Sequence, residues 1–135
     1  MRDAYNNIRP RIGLPLSART ATATGTSVDR NENGLGYQDA LITLFTGTIT
    51  DGTHTIDIKE SDDNSTWTSV AASELQGTKP VLTSSAGGAS TLDIGYKGMK
   101  RYVRCDVTVA SATTGGMYGA LVTLANPRTA PVVRP

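Results

Sequence analysis

An all-β sandwich is the fold this sequence predicts, on three observations. Twenty threonines, most of them interleaved with apolar residues, favour extended backbone, because a β-branched side chain suits a pleated surface better than a helix. Residues 101–109, RYVRCDVTV, alternate strictly, with Val103, Cys105, Val107 and Val109 on one face and Tyr102, Arg104, Asp106 and Thr108 on the other. Turn signals recur every ~8 to 15 residues without a convincing helical period, which implies about seven or eight short strands. A jelly-roll or immunoglobulin-like sandwich fits this pattern, with a closed barrel as the alternative. No repeat of fixed period points to a solenoid or propeller.

The 135 residues amount to one domain, able to bury roughly two thirds of its unfolded surface. With one Phe and one Trp, its core must come mainly from Val, Ile, Leu and Ala. Residues 1–18 contain Pro10 and Pro15, which interrupt any helix, and Ile8, Ile12, Leu14 and Leu16 at neither helical nor clean strand spacing. They read as an extended arm, too apolar to float as a disordered tail. Such an arm packs either on its own domain or on another subunit, and the second is the expectation here. Residues 19–24, RTATAT, are a weak first strand, and 25–36, GTSVDRNENGLG, a polar loop.

Residues 39–50, DALITLFTGTIT, read as a buried strand. Asp51-Gly52 has the chemistry of a tight turn, so residues 53–60, THTIDIKE, are expected to return as a hairpin partner, Ile56 and Ile58 on the dry face, Thr55, Asp57 and Lys59 on the wet one. AASELQG allows one helical turn closed by Gly77. Residues 80–83 and 91–94 flank SSAGGAS as a second hairpin, and 117–124 form the last strand. Asn126-Pro127 opens a Pro-rich tail that cannot join a sheet interior. The expected organisation is an N-terminal arm over 1–18, a sandwich over 19–125 and a tail over 126–135.

A net charge of +1 gives no global reason to expect nucleic acid or membrane as partner. The distribution is uneven. Arg2, Arg9, Arg11 and Arg19 against Asp3, with Arg128 and Arg134 at the other end, make the ends +5 and leave residues 29–125 at −4. One cysteine cannot form an internal disulfide, no stretch approaches the ~20 apolar residues of a membrane span, and the N-terminus lacks the apolar run of a signal peptide. These features predict a protein made and kept soluble in a cytoplasm.

In SDDNSTWTSV, residues 61–70, the acids are adjacent, whereas a calcium loop needs alternate-position ligands, a glycine and a spaced Glu. The same residues suit a turn, since Asp and Asn bond their own backbone, with Trp67 anchoring the next strand. Asp57, Glu60, Asp62, Asp63, Asp93 and Asp106 fall on expected wet faces or in turns, not across a cleft as a glycosidase pair would. Cys105, in phase with three valines, reads as a core residue, and His54 as a polar or half-buried strand residue. Gly34-Leu-Gly and Gly115-Gly116 lack the strand-then-helix setting of a phosphate loop. Residues 95–104, GYKGMKRYVR, interleave Lys97, Lys100, Arg101 and Arg104 with Tyr96 and Tyr102. That pattern binds single-stranded nucleic acid in some proteins, but at this net charge it is better read as neutralising the acidic body or meeting an acidic partner. Neither an enzyme nor a cofactor is expected.

Residues 37–131, about 70% of the chain, resemble small proteins from the head gene clusters of tailed bacteriophages, the capsid decoration or cement proteins. KESDDNSTWTSV, ASELQG, DIGYKGMKRYVRCDVTV and LANPRTAPV carry the resemblance, with SDDNSTW, GYKGMKRYVR and NPRTAP its most specific pieces. It implies a structural protein without an active site, made in the host bacterium and residing on the capsid exterior. There it would bridge capsomers, commonly as a homotrimer, bound to the major capsid protein and to its own copies, with no membrane and no direct nucleic-acid contact. The segment before residue 37 lies outside the resemblance.

The expected partner-binding residues are Ile8, Arg9, Arg11, Ile12, Leu14 and Leu16 on the arm, with Lys97, Lys100, Arg101 and Arg128. On this reading the arm's aliphatic residues are buried on the capsid or on a neighbouring copy, with Arg9 and Arg11 paired to acids. Removing residues 1–16 should then abolish capsid retention and leave the fold intact. The competing class is a tail or fibre binding module, because phage head and tail proteins share sandwich folds. Its exposed aromatics would have to come from scattered tyrosines and Trp67.

Overall fold

The computed structural model describes residues 3–86 and 89–134. Arg2, the Gly87-Gly88 pair of the expected second hairpin and Pro135 lie outside the described residues. Ten strands build an all-β sandwich: β1 (Ile8–Arg19), β2 (Val28–Asp29), β3 (Tyr37–Ile49), β4 (Thr53–Ser61), β5 (Thr68–Ser69), β6 (Leu75–Gln76), β7 (Val81–Leu82), β8 (Ser90–Tyr96), β9 (Tyr102–Ala110) and β10 (Gly116–Pro127). One antiparallel sheet, A, runs β1-β10-β3-β8-β6; the other, B, runs β2-β9-β4-β5, with β7 also on β4. Among the described residues, the one α-helical turn, Ala4–Asn7, precedes β1.

Alternation places the core. Ile42, Leu44, Ile94, Tyr118, Ala120, Val122 and Leu124 point inward from sheet A, and Ile56, Ile58, Val103, Cys105 and Val107 from sheet B. The strict alternation read in β9 is thus the buried face of a central strand. The remaining core comes from Val, Ile, Leu and tyrosine, because the single Phe and the single Trp are both only half-buried.

Two expected hairpins are not hairpins. β3 and β4 lie in different sheets, so Asp51-Gly52 turns the chain from one layer to the other. Gly52 sits at φ 85°, and the Asp51 carboxylate accepts the backbone N–H groups of Thr113, Thr114 and Gly115, the last at 2.6 Å. Asp-Gly supplies the bend, but the apolar residues on both sides of β3 seat it between β10 and β8, away from β4. Likewise β7 pairs with β4 and β8 with β3, so residues 80–94 cross between layers.

The ends are corrected too. Residues 8–19 are no free arm: β1 is an edge strand of sheet A, paired with β10 from Ile8↔Ala125 to Arg19↔Gly116. Leu14, 1% exposed, is part of the chain's own core. Register shifts at Ile12/Leu14 and Leu14/Ser17 explain why no strand period shows in the sequence. β10 runs through Pro127, tolerated near the strand's end, and Val132 is buried with its N–H on the Asn6 carbonyl at 2.9 Å. The boundaries expected at 18/19 and 125/126 therefore fall inside β1 and β10.

Two outcomes follow from β1 being internal structure. Leu14→Ala should cost ~2–5 kcal/mol in urea denaturation, the range for a fully buried leucine. Deleting residues 1–16 should abolish the cooperative unfolding transition, not leave the fold intact, since β10 would lose one of its two partners and the core the buried Leu14.

Candidate interaction surface

The residues most able to carry chemistry are built into the fold. His54 is fully buried; its Nε2 faces the Asp51 carbonyl at 3.0 Å and so carries the proton, leaving Nδ1 to accept from the Tyr118 hydroxyl at 2.7 Å. Burial pushes the Tyr118 hydroxyl up to about 12. Cys105 pairs with Ile58, four residues along β4 from His54, which separates them by about 13 Å of strand. Burial, and then the nearby Asp106, push its thiol up to about 12, the opposite of what a nucleophile requires.

Glu60 and Asp106, expected on wet faces, are buried. The Tyr96 hydroxyl donates to Glu60, while Asp106 is held by Arg104 at 3.0 Å, Lys59 at 3.6 Å and the Gly25 N–H at 2.9 Å. Asp57 stands directly opposite Asp106, bonded to Lys79 at 2.6 Å and Ser69 at 2.7 Å. Each carboxylate of this pair has its own cation. Among the described residues no three of His, Cys, Asp and Glu converge as a metal site would need, and no helix is long and apolar enough to cross a membrane.

SDDNSTW is a turn. The Asp63 carboxylate accepts from the Ser65 and Thr66 N–H groups at 2.9 and 2.8 Å and from the Ser61 hydroxyl at 2.9 Å, while Asn64 takes φ 59°. Trp67 lies with the Arg104 guanidinium 4.3 Å from its ring centroid, a cation–π contact on the outer side of sheet B.

The ten expected contact residues separate into three groups. Arg9 and Arg11 both face Glu32 of the same chain, Arg11 through Nε at 2.8 Å and Arg9 at 4.0 Å, so the acid they were expected to meet is internal. Lys100 pairs with Asp62 at 3.0 Å, and Arg101 grips Asp29 through two 2.8 Å bonds. Leu14 is core. Ile8, Ile12 and Leu16 remain at the surface, Ile8 half-buried and the other two 57% and 59% exposed. Lys97 and Arg128 are exposed and form no ion pair with any described residue.

What sequence reasoning missed is the surface that Ile8 and Ile12 join. Cross-strand register aligns Ile12 with Leu121, Thr43 and Asp93, Pro10 with Thr123 and Leu41, and Gly119 with Phe45 and Thr91, all on the outer side of sheet A. Leu41 and Met117 are exposed there, and the only phenylalanine lies among them. The signal was present: DALITLFTG is apolar on both strand faces, the pattern of a strand covered on both sides. Here only one side is covered. Comparison with protein-family models and with curated proteins finds no match to this chain.

The acidic turns give a pH dependence. Asp63 is drawn down to about 2 by the Thr66 and Ser65 N–H groups, Asp51 is lowered by those of Gly115 and Thr114, and Asp29 by Arg101. A lowered folded value contributes stability above the unfolded value of 3.8 that is lost as pH falls through the folded one. The melting temperature should hold from neutrality to pH ~4.5, then drop steeply towards pH ~2, with a shallower drop in Asp63→Asn. A separate check concerns the buried pair: Tyr96→Phe, which strips Glu60 of its donor, should cost ~1–3 kcal/mol in denaturant unfolding.

Proposed function

We propose that this chain is a structural virion protein of a tailed bacteriophage, seated on the capsid exterior. There it binds the major capsid protein and other copies of itself and stabilises contacts between capsomers. One observation carries the reading: Ile12, Leu41 and Met117 are exposed on the outer side of sheet A, with half-buried Phe45 and Leu121 among them, in a field of threonines that meets an acid, Asp93, on β8. Large apolar side chains gathered at the surface of one sheet mark a contact face. Four strands ~4.8 Å apart, each contributing ~10 residues of ~3.3 Å, give a face of about 600 Å², close to one partner's share of a standard interface. The segments SDDNSTW, GYKGMKRYVR and NPRTAP, which resemble decoration proteins, supply the kind of partner. The protein is read as non-enzymatic, with His54, Cys105 and the paired acids serving the fold.

Sedimentation with shells of its own phage, assembled without this protein, tests the reading. Uptake should be saturable and stoichiometric on expanded shells and absent on immature ones. The double change Ile12→Asp with Leu41→Asp, which leaves the inner faces untouched, should weaken uptake at least ~tenfold. Lack of uptake by shells at every stage would overturn the assignment in favour of a tail or fibre component.

A further inference from the structure

The turn between β8 and β9 combines a rigid backbone with an exposed apolar tip. Met99 is 88% exposed, the highest value among the large exposed hydrophobic residues. Everything around it is fixed. The buried Arg30 side chain donates through Nη1 to the Gly98 and Lys100 carbonyls at 3.1 and 2.8 Å, and through Nη2 to the Gln38 carbonyl at 2.7 Å. Its guanidinium lies 5.1 Å from the Tyr96 ring centroid. The Tyr96 hydroxyl accepts the Lys100 N–H at 3.2 Å while donating to buried Glu60. At Gly98 a Cβ would fall 2.3 Å from that hydroxyl oxygen, and the Lys97 N–H is held by the Glu74 carbonyl at 2.8 Å.

A buried arginine spent on three main-chain carbonyls is a costly way to hold a loop that ends in a bare methionine. It makes sense where the tip must arrive at a partner already ordered, because a pre-formed contact loses little conformational freedom on binding. Methionine suits the task, since its flexible, polarisable side chain fills irregular apolar pockets.

The charge around the tip names the partner's chemistry. Met99 stands on a ridge between two clefts, one lined also by Arg128, the other by Lys97 and by Ile8 and Leu41 of the apolar sheet face. Five cations line the two clefts together, Arg30, Lys97, Lys100, Arg101 and Arg128, against two acids, Asp39 and Asp62. The body as a whole is acidic, so this excess is local. Arg30 is buried and bonded to main-chain carbonyls, so Lys97 and Arg128 are the exposed members without an ion pair among the described residues. Nucleic acid fits poorly. Tyr96 is buried, Tyr102 is already stacked under Arg101 at 5.0 Å, and two unpaired cations are few for a phosphate backbone.

We propose that residues 97–101 are a pre-formed docking knob, with Met99 entering an apolar pocket on an acidic protein surface and Lys97 and Arg128 meeting carboxylates at its rim. Resting on the decoration reading, this assigns the knob to the capsid surface. Met99→Asp, Met99→Leu, the charge-reversed pair Lys97→Glu with Arg128→Glu, and Val81→Asp as an exposed change on the other sheet would be titrated onto expanded shells. All four positions are exposed, and matching melting curves would verify folding. Met99→Asp and the charge-reversed pair should each bind at least ~tenfold more weakly, while Met99→Leu and Val81→Asp bind as wild type. Raising salt should weaken wild-type binding and affect the charge-reversed pair less. Equal binding of wild type, Met99→Asp and the charge-reversed pair overturns the knob and leaves the decoration reading standing. Failure of wild type to bind any shell overturns both. Retention of wild type on single-stranded DNA at the same salt, lost in the charge-reversed pair, would overturn the choice of a protein partner.

Discussion

Two hydrogen bonds between the layers, one at each end of β4, set the geometry on which the rest depends. β4 points His54, Ile56, Ile58 and Glu60 inward; its two polar ends meet tyrosines of sheet A, His54 with Tyr118 on β10 and Glu60 with Tyr96 on β8. The two pairs are about 20 Å apart along the strand. Between them lie aliphatic side chains, whose attraction is large but non-directional and tolerates sliding of one sheet over the other. The polar pairs do not tolerate it, because a one-residue slip would leave a buried imidazole and a buried carboxylate without partners. In a core with neither Phe nor Trp at its centre, these pairs specify how the sheets align.

Each pair also governs what lies beyond the core. His54 Nε2 reaches the Asp51 carbonyl, and the Asp51 carboxylate gathers the N–H groups of the β9–β10 turn, so one polar cluster joins both corners at that end of the sandwich. At the opposite end Tyr96 links Glu60 to the backbone of the 97–101 turn. A third tie lies at the edge, where the chain leaves β1 for sheet B. A Cβ on Gly25 would fall 2.0 Å from the Cys105 carbonyl oxygen and 2.4 Å from that of Gly13, so only glycine passes there, and its N–H is taken by Asp106. The inward strands are therefore registered by tyrosines and the crossings by aspartates.

This division explains what could be read from the sequence. β9 was legible because both its period and its surroundings are regular. Asp51-Gly52 was legible as a bend but not as a layer change, since a turn's chemistry is local while its sheet assignment depends on where β3 finds partners. β1 was hidden by two bulges and two prolines, which erased the period of two, and Leu14 and Arg9 were thus given to a partner when they belong to the fold. Glu60 and Asp106 were placed in solvent because a carboxylate's burial is decided by distant donors, Tyr96 in one case and Arg104 with the Gly25 N–H in the other. GYKGMKRYVR stood out by charge, but most of that charge is neutralised internally, and the residue it presents most fully is Met99.

The two outer faces of the sandwich differ in a way that stability alone does not require. Sheet B carries Asp57, Lys59, Arg104 and Asp106, with Lys79 alongside, charges of both signs that satisfy one another, and Trp67 is sheltered under Arg104. That is how a solvated sheet is built. Sheet A, whose strands come from both ends of the chain, sets Leu41, Phe45, Leu121 and Met117 on the same side as threonines and has no comparable lattice of ion pairs there among the described residues. β1, at its edge, carries two prolines and two register shifts, which blunt it against adding a further strand. With edge pairing discouraged, a partner seated on sheet A, as proposed, would meet side chains and not main-chain hydrogen bonds. Such a contact would read shape and apolar area, and the proposed knob, with Lys97 and Arg128 beside Met99, would add the orientation that apolar contact alone lacks.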